Sequence, residues 1–146
     1  MTGKSEHNLD SKGRLILPVR FRAELGEAFY IAAGYHRTQD GDLIPNLTLY
    51  PMDAWNDICA KFAALPEDES SVAEAFFASA ERCEPDSQYR IVIPGYLREY
   101  AQLKKAVVLI GCNNRAKLWD AGLLAQTESM KLNVNNIARM MQSIRG

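Results

Sequence analysis

Cysteine is scarce in this sequence: Cys59, Cys83 and Cys112 are the only three, set 24 and 29 residues apart with no C-x-x-C pair. An odd count without paired spacing argues against a disulfide framework and against a tetrahedral zinc site, and leaves reduced thiols that pack as small hydrophobes. Long hydrophobic runs are also missing. Ala106 to Cys112, like every other apolar run, falls far short of the ~20 residues a membrane helix needs and reads as a buried strand, so no membrane partner is expected. The first 14 residues hold no apolar run and no small-residue cleavage site, which gives the expectation of a cytoplasmic chain without a secretory signal.

Catalytic apparatus is lacking as well. His7 and His36 are the only histidines and stand in unlike contexts, and there is no G-x-S-x-G, G-x-G-x-x-G or Walker sequence. The expectation is therefore no enzyme, no catalytic residue, no cofactor, no metal and no small-molecule substrate. Nor does one sign of charge dominate, since 17 Lys and Arg against 18 Asp and Glu leave a net charge of -1. That excludes indiscriminate coating of nucleic acid, which needs a large positive excess to release counterions, but leaves room for a local basic face. The remainder, 146 residues with 47% hydrophobic and 24% charged, suits one or two small domains around a single core.

What is present is an internal repeat. Residues 10 to 22 read DSKGRLILPVRFR and residues 86 to 98 read DSQYRIVIPGYLR. At an offset of 76, Asp10, Ser11, Arg14, Pro18 and Arg22 are matched by Asp86, Ser87, Arg90, Pro94 and Arg98, and four further positions keep apolar character. Downstream, Phe29 to Gly34 parallels Val107 to Gly111, and Leu49-Tyr50 parallels Leu118-Trp119. The first copy is expected to carry an extra eight-residue loop within His36 to Asn46, rich in Asp, Gly and Pro.

Each copy reads as a polar strand, a tight turn, an apolar strand, a short helix begun by proline, an apolar strand, a turn, a short strand and a helix. Asp10 can hydrogen-bond its own backbone in the first turn and Gly13 supplies a positive φ. Pro18 and Pro94 stop the apolar strands. After Pro51, Met52, Trp55, Ile58, Cys59, Phe62 and Leu65 recur at helical spacing, with Pro66 expected to end the helix. The chain then divides into a first repeat over 1–65, an acidic linker and connecting helix over 66–80, a second repeat over 81–130 and a C-terminal amphipathic helix over 131–146. A half of this size leaves strand edges and apolar faces open, so the copies should pack on each other as a pseudo-two-fold α+β unit of interleaved hairpins flanked by helices.

Arg14, Arg22, Arg90 and Arg98 recur at matching, solvent-accessible strand and helix ends. Lys4, Lys12, Arg14, Arg20 and Arg22 against Glu6 and Asp10 give the first 22 residues a net charge of +3. An arginine fork matches phosphate oxygens and the acceptor edge of guanine, so these residues suit DNA recognition. The other reading makes them structural, with Arg14 pairing Asp10 and Arg90 pairing Asp86 inside their own turns. Asp10 and Asp86 could meet across the pseudo-two-fold axis as paired carboxylates, but an arginine four residues on would lower rather than raise their pKa, against a general acid. Trp55 and Trp119 fall on apolar periodicities and read as core.

The doubled D-x-x-x-R signature, each followed by an apolar triplet and proline, resembles the MraZ proteins, bacterial transcriptional regulators with two tandem SpoVT/AbrB-like domains. His7-Asn-Leu-Asp-Ser-Lys-Gly-Arg-Leu, Leu49-Tyr-Pro-Met-Asp-Ala-Trp55 and Leu97-Arg-Glu-Tyr-Ala-Gln-Leu103 carry the likeness further, over nearly the whole chain. The resemblance implies a swapped-hairpin, double-split β fold and a ring-like homo-oligomer. It also implies binding to double-stranded DNA at short direct repeats in the promoter of the division and cell-wall gene cluster, with repression of that cluster and a nucleoid-associated location. By the same resemblance Arg14, Arg22, Arg90 and Arg98 serve DNA binding; the basic face adds Lys12 and Arg20 as candidates, and turn chemistry assigns Asp10, Gly13 and Asp86 to the turns. The second copy departs from the pattern with Tyr89 where glycine is usual and Pro85 where an apolar residue is usual. Tyrosine is strained at positive φ, so the second turn is expected to be shaped differently and the first copy to dominate DNA contact. The rival reading is a ring-forming interaction protein whose arginines are purely structural.

Overall fold

The computed structural model describes residues 1–66 and 70–145. The first copy contributes β1 (Lys4–Asn8), β2 (Arg14–Ile16), α1 (Val19–Leu25), β3 (Phe29–Arg37), β4 (Leu43–Pro51) and α2 (Met52–Ala63). After α3 (Ser70–Ser79) the second copy repeats the order with β5 (Glu81–Cys83), β6 (Arg90–Val92), α4 (Gly95–Tyr100), β7 (Ala106–Cys112), β8 (Arg115–Asp120) and α5 (Ala121–Ala125). A 3-10 turn, Glu128–Met130, leads into α6 (Val134–Arg145).

Six strands form an antiparallel sheet in the order β1-β7-β8-β4-β3-β5, and β2 pairs with β6 in a separate two-stranded ribbon. The order reverses onto itself when the copies are exchanged. The first strand of each copy leaves its own hairpin and pairs with the other's, Lys4 to Asn8 along β7 and Glu81 to Cys83 along β3. At the centre, Leu47 faces Leu118 and Leu49 faces Ala116, so the pseudo-axis passes through the pair Thr48 and Lys117. The copies are interleaved, as open edges in each half required.

Alternation along β4 sends Leu47 and Leu49 to one face and Thr48 and Tyr50 to the other. On the first face they meet Leu15 and Leu17 from the end of β2, Ile91 and Ile93, Phe21 and Leu25 of α1, Leu97 of α4, and Leu109 and Leu118, all buried in one cluster. On the second face Ala32, Tyr50, Ala54 and Trp55 form a smaller cluster joined by Phe76 of α3. Tyr30 stacks on Trp55 at 4.4 Å. Both tryptophans are buried, Trp119 at 1% exposure.

Three expectations are corrected. The eight-residue loop within His36 to Asn46 is mostly strand, because β3 and β4 continue in register to Arg37 and Leu43. Pro45 is accommodated because β8 pairs only with Leu47 to Leu49, leaving β4 an edge strand where proline does no damage. Helix α2 stops at Ala63, three residues before Pro66. Asp10 and Asp86 do not meet: the antiparallel register of Leu15 with Ile91 puts their turns at opposite ends of the ribbon. Of the acidic linker, residues 67–69 lie outside the described residues.

Candidate nucleic-acid interface

The two turns are built by their aspartates. In the first, the Gly13 amide donates to the Asp10 carbonyl at 3.0 Å and the Asp10 amide to the Arg14 carbonyl at 3.1 Å. Asp10 Oδ1 accepts from the amides of Lys12 and Arg14, both at 2.9 Å, and Oδ2 from Arg14 Nε at 2.5 Å. The second turn repeats this set: Tyr89 amide to Asp86 carbonyl at 2.9 Å, Asp86 Oδ1 from the amides of Gln88 and Arg90, and Oδ2 from Arg90 Nε at 2.8 Å. In each, the hydrogen bond from the arginine's backbone amide leads in holding the aspartate carboxyl below its ordinary pKa.

The second turn therefore keeps the shape of the first, against expectation. Tyr89 takes φ 60° where Gly13 takes φ 73°. The aspartate network dictates the backbone, and the strain of a tyrosine there is offset by the Arg22 guanidinium, 3.9 Å from the centre of its ring. In the first turn the corresponding place is empty of side chain, and Arg98 fills it; a Cβ on Gly13 would lie 2.7 Å from the Arg98 guanidinium.

Each turn thus meets the helix of the other copy. The Leu17 amide donates to the Tyr89 carbonyl at 2.8 Å and the Ile93 amide to the Gly13 carbonyl at 2.9 Å, welding turn to ribbon across the copies. The helix arginines are fixed from below, Arg22 Nε on the Leu17 carbonyl at 2.9 Å and Arg98 Nε on the Ile93 carbonyl at 3.0 Å. The spatial partners are consequently Arg14's turn with Arg98, and Arg90's turn with Arg22. Lys12 is exposed at the tip of the first turn.

Between the turns, the ribbon buries Leu15 and Ile91 and turns Arg14, Ile16, Arg90 and Val92 outward. Ile16 and Val92 are 54% and 58% exposed, and Arg14 faces Val92 while Arg90 faces Ile16, so the two arginines take opposite corners of the ribbon. An arginine-bearing two-stranded ribbon with apolar residues between its charges is one of the shapes the DNA major groove admits. Arg20 is not brought to this surface. Its guanidinium lies against Gly3, and the length of β1 separates that residue from the first turn.

Reading the sequence missed Lys104 and Lys105, both exposed in the loop after α4. They line a cleft of about 400 Å³ together with Asp10, Ser11 and Arg98. The legible signal was the spacing there: four residues separate Gln102 from Val107, whereas two separate the equivalent Gly26 from Phe29. Among the described residues no group of three or more His, Cys, Asp or Glu side chains is placed to hold a metal. The three cysteines are unpaired, and burial pushes the Cys83 thiol up to about 12. Among the described residues no helix is long and apolar enough to cross a membrane.

Two α/β repeats interleaved about a pseudo-axis, with paired aspartate-arginine turns ending one exposed ribbon, define a tandem-repeat class of protein. The family model described as "MraZ protein, putative antitoxin-like" matches residues 1–74 and again 76–142, and the chain belongs to the MraZ family. It is 42% identical over 122 residues to a protein of Halothermothrix orenii named transcriptional regulator MraZ, covering 82% of this chain and 80% of that one. Proteins of the same name from Moorella thermoacetica and Desulfitobacterium hafniense are 42% and 40% identical, over 80% and 84% of this chain and 78% and 82% of theirs.

Proposed function

We propose that this protein is a sequence-specific DNA-binding transcriptional regulator that reads the major groove with the β2–β6 ribbon and grips phosphates with the flanking turns. The observation that carries the reading is the outward face of Arg14, Ile16, Arg90 and Val92 held between two identically built turns; relatives named as transcriptional regulators support it. Its interleaved strands are the swapped-hairpin, double-split β arrangement of two SpoVT/AbrB-like repeats, bounded at 1–65 and 81–130 and joined through 66–80. It acts in the cytoplasm on the nucleoid as a ring-like homo-oligomer, represses its own division and cell-wall gene cluster from short direct repeats, and has no enzymatic activity.

Gel-shift titration with the DNA upstream of its own gene, run at several salt concentrations, tests the reading. A specific complex at nanomolar protein whose log affinity falls linearly with log salt is expected. No shift at micromolar protein overturns it.

The intra-turn pairs favour a second reading, in which Arg14 and Arg90 only hold the turns and the protein is a ring-forming interaction module. The carboxylates lie at the surface and the arginines are partly exposed, and solvent-screened pairs of this kind contribute little to stability. That is too little to make the arginines structurally indispensable, and in each only Nε is engaged by the aspartate, leaving the terminal nitrogens of the fork to face outward.

A further inference from the structure

The pseudo-symmetry of the ribbon is broken in its charge. At the first turn, Arg98, Lys104 and Lys105 line one cleft with the single carboxylate of Asp10, and Lys12 stands exposed at the tip of the same turn. At the second, the equivalent cleft, about 870 Å³, is lined by Arg22 and Arg82 together with Glu27, Glu84 and Asp86. Glu27 stands just after the α1 terminus where the second copy has its longer, lysine-bearing loop. Arg82 lies beside Glu84 and Arg22 against the Tyr89 ring, so the second end mixes two cations with three carboxylates where the first gathers cations around one.

The lysine pair is rigidly carried. Gln102, at φ 56°, ends α4 in the left-handed conformation, the Leu103 amide returns to the Arg98 carbonyl at 2.9 Å, and the Lys104 amide donates to the buried Asp120 at 3.0 Å. The Lys105 carbonyl accepts from the Leu9 amide at 2.8 Å, which sets the loop directly beside the start of the first turn. The anchors at Lys104 and Lys105 themselves are backbone groups, and both residues are exposed.

We propose that Lys104 and Lys105, with Arg98 and Lys12, form a DNA-phosphate rim at one end of the ribbon only, so that each unit lies on the duplex in a single orientation. The inference rests on the DNA-binding reading above and adds to it a contact surface and a polarity. The surface is composite: the turn comes from the first copy, the helix arginine and the lysine loop from the second. A reader with one gripping end fits sites repeated head to tail, because a unit with two equal ends would accept either orientation.

The test is fluorescence anisotropy with the upstream DNA and with a scrambled duplex, across a salt series, for the wild type, a Lys104→Gln/Lys105→Gln variant and an Arg82→Gln variant. Phosphate contacts are blind to sequence, so the lysine variant should lose roughly tenfold or more in affinity on both duplexes alike, with its salt slope reduced by about 2. Arg82→Gln should stay within about twofold of wild type. Circular dichroism and light scattering should be unchanged for both, since the loop is held by backbone bonds. If the wild type binds and the lysine variant keeps its affinity and slope, or if Arg82→Gln weakens binding equally, the one-ended rim is wrong while the regulator reading stands. If the wild type binds neither duplex, both fall together.

Discussion

Gly13 and Tyr89 show how a single position can be solved in two ways. Both sit at positive φ because an aspartate three residues earlier captures the surrounding amides, yet one is a bare surface under Arg98 and the other a ring under Arg22. Gly13→Ala adds left-handed strain of about 1–2 kcal/mol and a methyl that must displace a guanidinium, so chemical denaturation should show a loss of about that size or more. Tyr89→Gly relieves comparable strain while giving up a cation–π contact of about 0.5–1 kcal/mol and should fall within about 1 kcal/mol of wild type. Tyr89→Ala keeps the strain and loses the ring, and should be the worse of the two. Equal stability of the glycine and alanine variants would show that the ring contributes nothing.

The aspartates titrate in the same setting. Hydrogen bonds favour the charged carboxylates of Asp10 and Asp86, so their folded pKa values lie below the ordinary value of about 3.9. The stabilisation is complete above the unfolded value and is lost as pH falls through the lower folded one. Carboxyl carbon NMR should therefore place both midpoints below the ordinary aspartate value, and Asp10→Asn should remove the first turn's share of acid sensitivity. A midpoint at or above the ordinary value would contradict the turn geometry.

At the scale of elements, the ribbon sets up the sharpest comparison. Arg14 and Arg90 are equivalent by pseudo-symmetry, each outward-facing and each tied by Nε to its own aspartate. Their surroundings differ: Arg14 belongs to the turn tipped by Lys12 and flanked by Arg98, Arg90 to the turn flanked by Glu27 and Glu84. A bidentate base contact is worth roughly 1–3 kcal/mol, so Arg14→Ala should remove most specific binding and Arg90→Ala less. Both variants should fold, since exposed ion pairs contribute little. Binding isotherms on well-folded proteins decide it, and a larger loss for Arg90→Ala would reverse the assignment. The doubled motif made this ribbon legible from the sequence, because Asp, Arg and Pro at one offset mark turn, strand and helix start together. Open strand edges and the family resemblance together make interleaved hairpins legible, whereas which strand pairs with which depends on backbone edges that side-chain patterns do not encode. The β3–β4 hairpin was misread because Pro45, Gly41 and two aspartates look like a loop wherever edge and central strands cannot be told apart. The grouping of Arg98 with the first turn follows from that same exchange of partners.

At the scale of the whole molecule, apolar surface remains to be covered. Helix α6 buries none of its residues, although Val134, Ile137, Met141 and Ile144 recur along one side of it, and Leu132 just before it is 89% exposed. Such an amphipathic helix, capped by the Asn133 side chain accepting from the Asn136 amide at 2.8 Å, is stable in water mainly when its apolar stripe finds a partner surface. The proposed homo-oligomer supplies one, and it also reconciles a net charge of -1 with DNA binding, because several copies of one weak basic end act together at high effective concentration. Light scattering coupled to size exclusion should find a single species at a multiple of 16.4 kDa. Replacing Ile137 and Met141 with glutamate should shift it to smaller species that keep their circular dichroism. Affinity for DNA carrying several repeats should then drop by about a hundredfold or more, the scale of lost avidity, while affinity for a single repeat changes little. A wild-type mass of 16.4 kDa at micromolar concentration would remove the oligomer, and unchanged affinity in dissociated variants would show that one unit is sufficient.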